Sequence, residues 1–76
     1  MDAAKAFGIV VRRLRKEAGL SQELLAEKAY LRRTYISILE LGDQQPSLST
    51  IIKVAEGLSM PAHELIAQVE VMISSE

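Results

Sequence analysis

The sequence predicts an all-α fold, a compact five-helix bundle, on three observations. Apolar residues recur at three- and four-residue spacing along most of the chain, and no stretch alternates with the two-residue period of a strand. Residues suited to starting or stopping helices (Gly19, Ser21, Gly42, Ser47 and Pro61) punctuate those runs. The chain has 76 residues, 49% of them hydrophobic, which makes residues 1–76 one domain with material for a real core. It contains no cysteine, so neither disulfides nor thiolate-bound metal can hold it together. A chain this short buries only about 60% of its unfolded surface, so pairing with a second copy would add to a thin margin.

The first helix is predicted from Ala3 to Ala18, with Phe7, Val11, Leu14 and Ala18 as its buried stripe. Gly19 follows where a left-handed stop is wanted. Ser21 can cap the second helix, Gln22 to Ala29, by accepting from a free amide in its first turn. Leu24, Leu25 and Ala29 form that helix's inward stripe. A corner then leads to the third helix, Arg33 to Leu41, which places Arg33, Thr34 and Ser37 outward and Ile36 and Leu39 inward. Gly42 ends it, and Pro46 bars continuation through the Asp43-Gln44-Gln45-Pro46 turn. Ser47 caps a fourth helix whose inward stripe is Leu48, Ile51, Ile52, Ala55 and Leu58. Its Gly57 is a weak point, tolerated near the end. Ser59 to Pro61 starts the fifth helix, where a proline's missing N–H costs nothing. Leu65, Ile66, Val69, Met72 and Ile73 give it an apolar face reaching almost to the C-terminus.

The net charge of −1 argues against a nucleic-acid binder until its distribution is considered. Residues 1–41 hold eight Lys or Arg against five acids, a net of +3. Residues 42–76 hold one against five, a net of −4. Either this is an ordinary mixed surface, or one basic side faces a polyanion while the other turns away.

With these residues in place, the chain resembles the lambda repressor/Cro-like (Xre-like) helix-turn-helix regulators. The resemblance runs from residue 7 to 66 and rests on Phe7-Gly8, Arg12, Arg15, Gly19-Leu20-Ser21-Gln22, Leu25-Ala26, Ile36-Ser37, Glu40 with Gly42, Pro46-Ser47-Leu48 and Leu58. It places the motif at about 21–41. The Arg-Thr-Tyr-Ile-Ser run at 33–37 further resembles the controller proteins of restriction–modification systems.

The resemblance implies that the third helix meets base edges in the major groove. Arg33 then suits guanine O6 and N7, and Thr34 can set its methyl against a thymine methyl. Ser37 is the next outward position, and Ile38 either packs on a thymine methyl or covers core. Gln22, Arg32, Tyr35 and Gln44 are the expected phosphate contacts, although Tyr35 could instead pack beneath the fourth helix. Without the surrounding motif, Arg33 would be a solvated arginine and Gln22 a cap of its own helix. Arg15 and Glu40 match a structural pair that sets the angle of the recognition helix. Three departures stand out. Arg32 replaces a small capping residue, Tyr30 occupies a turn position often held by glycine, and Leu41 and Asp43 stand where relatives often carry cations, which lowers phosphate grip.

The function expected is sequence-specific binding of double-stranded DNA by a homodimeric transcriptional regulator on a palindromic operator. Ile66, Val69, Met72 and Ile73 of the helix at about 61–73 are the expected dimer interface, unless the last turn frays. The alternative is a protein-interaction module such as an antitoxin, with the acidic, apolar C-terminal helix covering a partner. No enzyme is expected, and no cofactor, metal or small-molecule ligand is implied. His63 has only Glu64 beside it, and a metal site needs more ligands than that. No signal peptide or membrane-length apolar run is present, so the expected location is the cytoplasm.

Overall fold

A computed structural model describes residues 1–75, and Glu76 lies outside the described residues. Five helices follow in order: α1 (Ala3–Glu17), α2 (Gln22–Ala29), α3 (Arg33–Leu41), α4 (Leu48–Gly57) and α5 (Ala62–Ser74). No strand occurs among the described residues. α1 packs against α3 and α5, α2 lies across α3 and α4, and α4 also meets α5.

The starts and stops have local causes. Asp2, Ser21 and Ser47 each accept a backbone N–H from three residues on: Lys5 at 2.9 Å, Leu24 at 3.0 Å and Thr50 at 3.2 Å. The first four helices end in one hydrogen-bond pattern. The residue that follows the left-handed stop donates back to a carbonyl five residues earlier, through Leu20 to Arg15, Leu31 to Ala26, Asp43 to Ile38 and Met60 to Ala55. Each such stop turns on one left-handed residue: Gly19, Tyr30, Gly42 or Ser59. Ser59 thus ends α4, and α5 starts after Pro61 rather than at Ser59. Tyr30 takes the strained left-handed conformation at φ 57°.

The core is built from Ala6, Phe7, Val10, Val11, Leu25, Ala26, Ile36, Leu39, Val54, Ala55, Leu65 and Val69. Several faces differ from the sequence expectation. On α1, Ala6 and Val10 are buried while Ala18 is exposed and outside the helix, because the face that meets α3 and α5 is rotated toward the N-terminal partners of Phe7 and Val11. On α2, Leu24 is 40% exposed and Ala26 takes its inward place. On α4, Leu48 (73%) and Ile52 (42%) face outward, whereas Thr50 and Val54 are buried.

Gly57 is a contact point rather than a weak point. A Cβ there would stand 2.9 Å from Leu25 Cδ1 and 3.2 Å from Ala29 Cβ, so its absence lets α4 lie close on α2. Val69 also belongs to the interior, at 6% exposure.

Candidate nucleic-acid interface

The outward side of α3 follows from how its other side is held. Ile36 and Leu39 are fully buried, so the helix has no rotational freedom about its axis. Its C-terminal turn is fixed to α1 twice. Gly8 lets the helices approach so closely that a Cβ at that position would lie 2.4 Å from the Leu39 carbonyl oxygen and 2.6 Å from that of Glu40. Half a helix further on, Arg15 donates from Nε to Glu40 Oε2 at 2.6 Å and from Nη2 to Oε1 at 3.0 Å. Its Nη1 donates to the Leu20 carbonyl at 2.8 Å, which binds the α1–α2 connection into the same knot.

Gln22 completes that network, with Nε2 donating to Glu40 Oε1 at 3.0 Å. The Glu40 side chain is only 4% exposed and that of Arg15 10%. The hydrogen bond to Glu40 raises the Arg15 pKa above its ordinary value, against the opposing cost of burial. Removing either partner would strand a desolvated charge, at a cost of about 3–5 kcal/mol. The pair is structural, as expected. The resemblance implied a glutamine at 22 that bridges phosphate and recognition helix; the link to that helix runs to Glu40, a partner that no spacing rule predicts from a helix start two elements away.

With the C-terminal turn secured, the N-terminal half of α3 stands clear. Arg33 and Thr34 are exposed and Ser37 is half-buried beside them. None of their side chains hydrogen-bonds or ion-pairs with another described residue, and the same holds for Arg32 and Gln44. Arg32 begins the helix without a side-chain cap, so its guanidinium remains available. Ile38 is half-buried and does not enter the core. Tyr35 packs against the core while remaining partly exposed, a position that serves packing and still leaves one edge at the surface. Gln44 is exposed in the α3–α4 loop, between exposed Asp43 and Gln45.

The expected interface residues of α5 separate. Ile66, Met72 and Ile73 are half-buried, and Met72 and Ile73 pack against the core. Val69 is core and is not available to a partner, because α5 lays it with Leu65 against α1 and α4. Val71, which the periodicity did not mark, is the exposed large apolar residue of this helix, at 68%. His63 is exposed, and no described group of His, Asp and Glu could hold a metal ion.

A buried helix carrying outward hydrogen-bonding groups, held at a fixed angle to the helix before it, defines the class of helix-turn-helix proteins. Residues 11–65 match the helix-turn-helix family, and the chain belongs to it, among the lambda repressor/Cro-like (Xre-like) transcriptional regulators, which are not enzymes. Relatives include the control protein C.MunI from Mycoplasma sp, 40% identical over 70 residues that cover 91% of this chain and 95% of the relative. The control protein C.BamHI from Bacillus amyloliquefaciens is 39% identical over 61 residues, covering 79% of this chain and 75% of the relative. The crystal structure of the restriction–modification controller protein C.AhdI from Aeromonas hydrophila superposes with a TM-score of 0.78 at 40% identity, over 82% of this chain and 94% of that one.

Proposed function

We propose that this chain is a transcriptional controller that binds double-stranded DNA as a homodimer, in the cytoplasm, at an operator of two inverted half-sites. The observation that carries it is the state of α3: anchored at its C-terminal turn through Glu40, with Arg33, Thr34 and Ser37 outward and uncommitted. Base-edge contact falls to Arg33, Thr34 and Ser37, with Ile38 beside them. Phosphate contact falls to Arg32, Gln44 and Tyr35, and to the start of α2 at Gln22 through its helix-start amides. The likeness to controller proteins of restriction–modification systems supports control of such a system's genes.

Affinity selection from a random duplex library tests this reading. The expected result is an inverted repeat with half-site centres about one helical turn apart. Binding to it should weaken steeply with salt despite the net charge of −1, because counterion release follows the local cations. A pool that shows no enrichment, or binding insensitive to salt, would count against DNA as the ligand.

A further inference from the structure

Tyr30 is a costly residue choice at its position. It holds the left-handed position that ends α2, at φ 57° and ψ 41°. Bulky side chains are genuine outliers in that region, and such positions cost of order 1–3 kcal/mol. Two of the three other helix stops of this kind use glycine, and the third uses the small side chain of Ser59. Nothing inside the protein recovers the cost: Tyr30 is 83% exposed, and its hydroxyl has no partner among the described residues.

Its surroundings indicate what the ring faces. From residue 28 to residue 39 the chain contains no carboxylate, while Lys28, Arg32 and Arg33 supply three cations. All three are exposed and none is ion-paired with a described residue. The corner therefore presents a phenol donor beside three exposed, unpaired cations, with Glu27 the adjoining carboxylate on the α2 side, next to the first turn of α3 where Arg33 stands. An anion fits such a surface, and phosphates border the groove that α3 would enter.

We infer that the α2–α3 corner is a DNA-backbone clamp in which the Tyr30 hydroxyl donates to a phosphate oxygen, flanked by Lys28 and Arg32. This rests on the DNA-binding reading above. It adds Tyr30 and Lys28 to the contacts and places them at the edge of the half-site, outside the bases read by Arg33. A contact of this kind adds affinity without sequence preference.

The test compares wild type, Tyr30→Phe, Tyr30→Gly and Lys28→Ala by titration against the selected operator and an unrelated duplex. Tyr30→Phe should lose about threefold or more in affinity for both duplexes alike. Tyr30→Gly should lose at least as much while melting no lower than wild type, since glycine accepts the left-handed turn. Lys28→Ala should reduce the slope of log affinity against log salt by about one. A Tyr30→Phe protein that binds both duplexes as wild type does would overturn the clamp and leave the DNA-binding reading intact. A wild type that binds no duplex would remove both.

Discussion

Two arginines in this chain show how context assigns different work to one side chain. Arg15 spends Nε, Nη1 and Nη2 on Glu40 and on the Leu20 carbonyl, so nothing remains for a ligand. Arg33 has no carboxylate within its own helix turn and no internal partner among the described residues, so docking on DNA would break no ion pair. Arg33→Ala is expected to cost about 1–3 kcal/mol of operator affinity and to relax preference at one position. The melting temperature should stay where it is, because the side chain is exposed and holds no internal hydrogen bond or ion pair. Repeating the duplex selection with the variant checks the preference, and an unchanged consensus at unchanged affinity would refute the contact. That residues 33, 34 and 37 turn away from the core was legible from helical spacing alone, because Ile36 and Leu39 fix which side is buried. Gln22 was legible as a helix-start residue but not as a ligand of Glu40, since that contact depends on how α1, α2 and α3 converge.

At the scale of elements, α3 is aimed by α1. The crossing depends on Gly8, a residue whose intrinsic effect in a helix interior is unfavourable. On helix propensity alone, Gly8→Ala would stabilise the chain by about 1 kcal/mol. The structure predicts the opposite sign, because the new Cβ would meet the backbone carbonyl oxygens of Leu39 and Glu40 at 2.4 and 2.6 Å, atoms that cannot turn aside. The helices must separate, which costs about 3 kcal/mol as overpacking does and tilts α3 with its outward face. Chemical denaturation should therefore show Gly8→Ala less stable than wild type, and operator binding should weaken although no DNA-facing residue has changed. A variant of higher stability would show that the crossing tolerates a methyl group. Helix limits were legible because caps and left-handed stops are local: the expected spans of α2 and α3 coincide with those observed. Helix faces were less so. Periodicity finds the apolar side but not its centre, and the neighbours that decide the centre leave Leu24, Leu48 and Ile52 outside.

Across the whole molecule, the two halves differ in their cations: residues 1–41, which form α1 to α3, carry eight Lys or Arg against five acids, while residues 42–76, which form α4 and α5, carry one against five. α5 keeps apolar surface that the bundle does not consume, with Val71 68% exposed. Ile66 is half-buried and lines a cleft with Ala3, Phe7, Pro46 and Ile51, and one helical turn from Ile51 the exposed Leu48 extends the apolar surface along α4. Self-association is the simplest way to cover such a surface, since a two-fold axis presents the same patch to itself. It would also set two copies of α3 about 34 Å apart on one face of the duplex. Val69 cannot test this, because a charge there would unfold the core. Ile66→Asp can, since its side chain already reaches water and the expected loss of monomer stability is modest. The wild type should sediment as a dimer at micromolar concentration and the variant as a monomer with unchanged helix content. The variant should lose most of its affinity for the full palindrome while binding an isolated half-site as the wild-type protomer does, because each half-site alone supplies limited energy. A wild type that sediments as a monomer both free and on DNA would separate operator recognition from α5 altogether.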